Sequence, residues 1–195
     1  MNRTAKVVRN TKETKIELEI NLDSDKNDSK ISCGIPIFEH LLSHLVKHSN
    51  VYFNIDAIGD IDIDYHHTIE DIGIALGKAL LISLGDKKGI SRYGYASIPM
   101  DEALVNVSID LSGRSILVFN VNFTSKKIGT FDTELIKEFF RSLSQHSEMT
   151  LHINLLYGEN NHHIAEAIFK AFGLALKMAI SKTGKDEIPS TKGIL

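Results

Sequence analysis

The chain of 195 residues has little of what marks secreted, membrane-spanning or nucleic-acid-binding proteins. Its one cysteine, Cys33, excludes an intrachain disulfide framework and favours a reducing compartment, and we expect this thiol to be a small buried packing group. No apolar run approaches the roughly 18 residues that span a bilayer. The first residues lack the apolar segment of a signal peptide, so we expect a cytoplasmic protein. The net charge of −3 gives no reason to expect a nucleic-acid or membrane partner.

What the chain does have is an internal repeat. Residues 66–80 read HHTIEDIGIALGKAL, and 96 positions later residues 162–176 read HHIAEAIFKAFGLAL. A second pair of segments, residues 40–55 and 138–153, matches at an offset of 98 and aligns His40 with Glu138. Because both offsets are close to half the chain length, we interpret the sequence as a tandem duplication.

Hydrophobic periodicity gives each half the same order of elements: a few strands, a helix, a strand and a helix. Helices are predicted from residue 36, from 66 to about 84, from 133 to 146 and from about 162 to 182. Strands are predicted at residues 14–22, 51–58, 93–99, 102–111, 115–123 and 149–157. The expected fold is α+β, with two similar half-domains of about residues 1–90 and 91–195, antiparallel sheets and four main helices in one domain. We attribute Gly77 and Gly173, which lie mid-helix, to close helix packing.

The repeated motif has the spacing of a metal-binding helix. Residues four apart share a helix face, so His66 and Glu70 can bind one ion, as can His162 and Glu166. His67 and His163 point about 100° away, and each is expected to complete the ion of the other repeat. His40 and Glu138 are candidate fourth ligands. Imidazole and carboxylate without thiolate suit Mn, Fe or Zn rather than structural zinc.

Other polar residues give weaker signals. The tail Ser190-Thr191-Lys192 has the hydroxyl and cationic donors that a phosphate needs. Taken alone, Arg92, Arg114 and Lys170 are more often solvated surface charges. Asp101 and Glu102 could be catalytic or could form structural charge pairs, and Glu13 has no distinguishing pattern.

Seven ordered segments together resemble the imidazoleglycerol-phosphate dehydratase family over essentially the whole chain. They are RNTKET (9–14), GIPIFEHLLSHLVKHS (34–49), GDIDIDYHHTIEDIGIALG (59–77), SRYGYASIPMDEAL (91–104), DLSGR (110–114), GENNHHIAEAIFKAF (158–172) and PSTKG (189–193). The chain departs from many members in having Glu138 where His is common, Thr191 where Ser is usual and Tyr65 where Asp is common.

The resemblance implies a duplicated α+β fold like ribosomal protein S5 domain 2, a cage of about 24 subunits with active sites at subunit contacts, and two Mn²⁺ ions per active site. In the resembled family, the histidine that completes each ion would come from another chain and not from the other repeat of the same chain. One ion would take His40, His67, His162 and Glu166, and the other His66, Glu70, Glu138 and His163.

The implied reaction is dehydration of D-erythro-imidazoleglycerol phosphate to imidazole-acetol phosphate in histidine biosynthesis, through a metal-bound imidazolate and a diazafulvene intermediate. Glu13 is the implied acid/base, and the predicted catalytic set adds the ligands His40, His66, Glu70, His162 and Glu166. The implied phosphate-binding residues are Arg92, Arg114, Lys170, Ser190, Thr191 and Lys192, helped by His44 and His48.

Two other classes of function also fit part of the pattern. A dinuclear hydrolase of phosphate esters would use a metal-bound hydroxide and would release inorganic phosphate. A metal-storage or sensor protein would need the histidine pairs, but it would not need Arg92, Arg114 or Lys192.

Overall fold

A computed structural model describes residues 3–24 and 28–195 of the chain. The first half contains β1 (Thr4–Asn10), β2 (Thr14–Asn21), β3 (Lys30–Ser32), α1 (Pro36–Ser49), β4 (Tyr52–Gly59) and α2 (His66–Leu84). The second half contains β5 (Tyr93–Met100), β6 (Ala103–Asp110), β7 (Ile116–Asn120), β8 (Lys127–Ile128), β9 (Phe131–Asp132), α3 (Glu134–Ser147), β10 (Thr150–Tyr157) and α4 (Asn161–Ile180).

The two halves have the same sheet topology. The first sheet has the order β1-β2-β4-β3 and the second has the order β5-β6-β10-β7. In each sheet three strands are antiparallel, and the short strand before the first helix pairs parallel with the strand after it. Such a parallel pair needs a helical crossover, which α1 and α3 provide. The predicted α+β duplication is confirmed.

Most predicted helices and strands are found within one or two residues of their expected bounds. Pro36 opens α1 in its first turn, where a missing N–H costs nothing, and α2 ends at Leu84 before Gly85. Strands β1, β3, β8 and β9 were not predicted. Three residues in β3 and two each in β8 and β9 are too few to show an alternating pattern.

The four helices lie between the two sheets. Helix α2 packs on β1 and β2 and also on α3, while α4 packs on β5 and β6 and also on α1. Each helix pair therefore joins one half to the other. Buried phenylalanines from three helices meet there: the ring centroids of Phe38 and Phe139 are 5.2 Å apart, and those of Phe139 and Phe169 are 5.6 Å apart. Cys33 is buried as expected, and burial raises the pKa of its thiol to about 12.

Glycines set the distance between the paired helices. A Cβ on Gly77 of α2 would lie 2.8 Å from the carbonyl oxygen of Leu143 in α3. The repeat mate, Gly173 of α4, would meet the carbonyl oxygen of Leu45 in α1 at the same distance. The prediction that these glycines permit close helix packing is confirmed. Among the described residues, no helix is both long and apolar enough to cross a membrane.

We predict that Gly77→Ala and Gly173→Ala each destabilise the protein by about 1–3 kcal/mol, because the new methyl group has no space. Helix propensity alone predicts the opposite sign, a gain of about 1 kcal/mol. Thermal unfolding of each variant distinguishes the two. Lys78→Ala, at an exposed position of the same helix, is the control and is expected to leave the midpoint nearly unchanged. A raised midpoint in either glycine variant would contradict the packing account.

Candidate metal centre and anion pocket

The contact between α1 and α4 brings together three predicted ligands, which we name the α1–α4 cluster: His40, His162 and Glu166. The Nε2 atoms of both histidines lie 2.9 Å from Oε1 of Glu166. Their candidate ligand atoms all lie within 4.8 Å of one another. His162 and Glu166 are one helical turn apart, as the motif spacing predicts, and His40 reaches them from the neighbouring helix.

Glu166 is buried, with 6% of its surface exposed. Burial would raise the pKa of its carboxyl group, but hydrogen bonds from Lys170, His40 and His162 outweigh burial and hold that pKa far below its usual range. Lys170 Nζ lies 2.6 Å from Oε2, and His44 Nε2 lies 3.3 Å from the same oxygen. Glu166 is therefore a fixed anion surrounded by nitrogen atoms.

The contact between α2 and α3 forms the equivalent α2–α3 cluster: His66, Glu70 and Glu138. His66 Nε2 lies 3.8 Å from Glu70 Oε2. Arg141 bridges the two carboxylates, with its NH2 nitrogen 2.9 Å from Glu70 Oε1 and its Nε 2.9 Å from Glu138 Oε1. Glu138 thus lies where the repeat places it, opposite the His-Glu pair, and a guanidinium balances the two acidic groups.

The second histidine of each motif points away from both clusters. His67 Nδ1 lies 3.0 Å from Asp60 Oδ2 and 3.9 Å from Glu13 Oε2. His163 Nδ1 lies 2.7 Å from Glu102 Oε2. Within one chain, His67 is not in the α1–α4 cluster and His163 is not in the α2–α3 cluster. The expected exchange of ligands between the repeats is therefore not made inside a single chain.

Glu102 is held more firmly than its repeat mate Glu13, although each directly precedes the second strand of its half. It accepts hydrogen bonds from His163 and from the backbone N–H groups of Glu159 and Asn160, which lower its pKa to about 2. In turn, Glu102 raises the pKa of His163. Glu13 has no comparable hydrogen bonds to its carboxylate among the described residues, so its oxygens remain accessible.

A cavity of about 890 Å³ gathers most of the predicted phosphate-binding residues. Its lining includes Arg92, Arg114, Ser190, Thr191 and Lys192. These residues come from the start of β5, the turn after β6 and the C-terminal tail, far apart in sequence. Three cations and two hydroxyls, with Glu187 as an acidic group in the same lining, form a site that can bind a phosphate-sized anion.

The other three predicted phosphate ligands lie elsewhere, beside the α1–α4 cluster. Lys170 contacts Glu166, and the rings of His44 and His48 stack at 6.4 Å along α1. Desolvation by burial lowers the pKa of both histidines. Within one chain, the predicted phosphate-binding set is thus divided between the anion pocket and the α1–α4 cluster.

Sequence reasoning missed several residues that complete these sites. Asp60 and Arg141 were not singled out, although Arg141 follows Glu138 by three residues and must share its helix face. From the sequence alone, Glu102 fits either a catalytic or a structural role. Its equivalence to Glu13 lies outside the two aligned repeat segments and is seen only in the order of the strands, since Glu13 precedes β2 as Glu102 precedes β6.

The donor chemistry of both clusters fits a divalent transition metal. Each offers imidazole nitrogen and carboxylate oxygen without thiolate, the ligand types that Mn²⁺, Fe²⁺ and Zn²⁺ accept. His67 and His163 each place Nδ1 on a carboxylate, as metal-ligating histidines do. The Nε2 atom of His163 lies 3.6 Å from the exposed carboxylate of Asp101.

The fold and these sites define a class: a duplicated α+β protein with two matched histidine–carboxylate clusters and a separate anion pocket. The family model described as imidazoleglycerol-phosphate dehydratase matches residues 33–176. A relative of that name from Nitrosomonas eutropha is 53% identical over 195 residues, covering 99% of this chain and 100% of the relative.

Solved structures agree with the sequence relatives. The imidazoleglycerol-phosphate dehydratase of Staphylococcus aureus has a TM-score of 0.83 and 42% identity, and covers 92% of this chain and 99% of that one. The enzyme from Pyrococcus furiosus, in complex with (S)-C348, has a TM-score of 0.85 and 38% identity, with coverage of 97% and 100%. The chain belongs to the imidazoleglycerol-phosphate dehydratase family. It is a hydro-lyase of histidine biosynthesis.

We predict that Glu102→Gln lowers the pKa of His163 toward its ordinary value of 6.5, because the carboxylate stabilises the imidazolium form. The titration is followed by ¹⁵N NMR of histidine-labelled protein in the presence of a chelator. Glu159→Gln, at an exposed position nearby, is the matched control and is expected to leave His163 unchanged. An unshifted His163 in Glu102→Gln would contradict the hydrogen-bonded pair.

Proposed function

We propose that the chain dehydrates D-erythro-imidazoleglycerol phosphate to imidazole-acetol phosphate in the cytoplasm, with two Mn²⁺ ions per active site. The observation that carries this proposal is the matched pair of clusters, each joining a His-x-x-x-Glu pair to a ligand from the other half. The single buried cysteine supports a reducing compartment.

The α1–α4 cluster would hold one ion through His40, His162 and Glu166, and the α2–α3 cluster would hold the other through His66, Glu70 and Glu138. His67 would complete the first set and His163 the second. When bound, the two ions would act as Lewis acids on the ring nitrogens of the substrate imidazole. Buried Glu166 supports this assignment, because His40 and His162 both direct Nε2 at its carboxylate, so that all three groups could bind one cation.

The completing histidines would come from neighbouring copies of the chain. His67 and His163 lie outside the clusters of their own chain, and each has Nδ1 on a carboxylate. The Nε2 atom of His163 lies 3.6 Å from the exposed Asp101 and would exchange that carboxylate for a metal ion. A symmetric assembly can bring such residues to the clusters of a neighbour, because the same contact is repeated on every copy. A 24-subunit cage with active sites at the subunit contacts is the assembly that we propose.

The anion pocket would bind the phosphate group of the substrate. Binding energy from this remote group helps to orient the glycerol side chain, so that the carbon atoms that react are held near the catalytic groups. Lys170, His44 and His48 would add positive or hydrogen-bonding groups from the side of the α1–α4 cluster.

Glu13 would transfer protons during the elimination. The reaction removes a C–H proton and a hydroxyl group from adjacent carbons, so a carboxylate near both can accept the first proton and protonate the departing oxygen. The accessible carboxylate of Glu13 beside His67 supports this role. Glu102, which is held by three hydrogen bonds, is less suited to proton transfer.

The direct test is turnover of imidazoleglycerol phosphate by the purified protein, with Mn²⁺ and after chelation. We expect Mn²⁺-dependent formation of the ketone with no release of inorganic phosphate. Phosphate release instead of ketone would identify a hydrolase. Absence of turnover in a folded, Mn²⁺-loaded assembly would favour metal storage and would contradict the proposal.

We further predict that Glu13→Gln lowers kcat by about 10²–10⁴-fold, because a side-chain amide cannot act as a general acid or base near neutral pH. Metal content and particle size should stay unchanged, since Glu13 is not among the ligands. Glu17→Gln, which alters a surface ion pair with Lys6, is the control and should be fully active. An active Glu13→Gln enzyme would remove the acid/base assignment.

A further inference from the structure

Beside the anion pocket lies a feature that net charge does not explain: a carboxylate close to two of the arginines that line the pocket. Asp110, at the end of β6, pairs with Arg92 through Nε to Oδ1 at 2.7 Å and through NH2 to Oδ2 at 3.2 Å. The NH2 nitrogen of Arg114 lies 3.7 Å from the same Oδ2. A negative charge beside an anion site weakens binding by Coulomb's law, so its presence needs another physical reason.

The side chain of Arg92 is fixed by contacts with three neighbouring residues. Besides the two contacts with Asp110, its NH1 nitrogen donates to the carbonyl oxygen of Pro189 at 2.8 Å, and its guanidinium carbon lies 4.6 Å above the ring of Tyr93. Both Arg92 and Asp110 are largely buried, with side-chain exposures of 12% and 20%. A guanidinium has five N–H donors, so these contacts leave one N–H on each terminal nitrogen for a ligand.

The backbone of Arg92 is constrained as well. Its φ of 69° lies in the left-handed region, which residues with a Cβ rarely adopt. The conformation is maintained by the N–H of Arg92 bonding to Ala179 and by its carbonyl accepting from Leu111, at 2.9 and 3.1 Å. Strained backbone of this kind persists where the surrounding structure fixes a functional side chain.

We propose that Asp110 is a positioning residue that orients the guanidinium group of Arg92 toward the phosphate of the substrate. The inference rests on the proposed function and deepens it. Asp110 contributes orientation at the cost of one unit of favourable charge. A carboxylate matches the guanidinium fork in two parallel bonds, and a group aligned before binding loses less entropy when the ligand arrives.

The two effects of Asp110 have opposite signs, which makes the test decisive. Asp110→Asn removes the negative charge at nearly constant shape. If charge alone mattered, inorganic phosphate would bind more tightly. If orientation matters, phosphate should bind about tenfold more weakly. The dissociation constant of inorganic phosphate is measured by calorimetry on the intact assembled protein, so the result does not depend on turnover.

Asp110→Glu gives an independent comparison, because it keeps the charge but displaces the carboxylate by one methylene. We expect weaker phosphate binding here too, and a raised KM with little change in kcat if the protein turns over imidazoleglycerol phosphate. In an Arg92→Lys background, Asp110→Asn should weaken phosphate binding by less than about a further twofold, because lysine has no planar guanidinium to orient. Asp56→Asn, an exposed carboxylate on β4, is the control.

Unchanged or tighter phosphate binding in a folded Asp110→Asn protein would overturn the proposal. The proposal would also be overturned if Asp110→Asn reduced phosphate affinity equally in the wild-type and Arg92→Lys backgrounds, since a purely structural residue acts independently of Arg92. If both Asp110 variants fail to assemble, Asp110 is a folding residue and the positioning role is rejected. Should phosphate binding follow our expectation while turnover is absent, the proposed function fails and the role of Asp110 remains.

Discussion

The rest of the structure depends on the close contact of helices from opposite halves. Two glycine positions, Gly77 and Gly173, let the backbone of α2 approach α3 and that of α4 approach α1, because a side chain at either position would collide with the neighbouring helix. Each contact places a His-x-x-x-Glu face against the ligand position of the neighbouring helix. A wider separation would leave His40 and Glu138 out of reach of the motifs, so the distance between helices fixes the geometry of both clusters.

Duplication makes the two clusters alike, but their surroundings differ. Glu166 is buried and contacts Lys170 from its own helix, whereas Glu70 is more exposed and shares Arg141 with Glu138. The outer histidines also differ, since His163 has a firmly held partner in Glu102 while His67 has Asp60 and the freer Glu13. These differences would give the proposed elimination the asymmetry that it needs, with one accessible carboxylate for proton transfer and one fixed carboxylate for orientation.

The sequence predicts features that depend on residues close together in the chain better than features that depend on residues far apart in it. The helices and long strands follow from periodicity, and the pairing of His66 with Glu70 follows from helical spacing alone. The repeat also predicts His40 and Glu138 as ligands, because a duplicated position has a duplicated environment. The anion pocket joins Arg92, Arg114 and the tail through tertiary contacts that no local pattern encodes. Arg141 and Asp110 were missed because solvated charges and ion-paired charges have similar sequence patterns. That His67 and His163 lie outside the clusters of their own chain depends on tertiary structure, which helical spacing does not give.

The central claim is that each cluster is completed by a histidine from another chain. The most direct measurement is a crystal structure of the Mn²⁺-loaded protein with anomalous scattering data collected at the manganese edge. The account predicts two manganese peaks per chain, each contacting one three-residue cluster and the Nε2 atom of His67 or His163 of a neighbour. Peaks bound by residues of one chain alone, or His67 and His163 left on their carboxylates without metal, would contradict it.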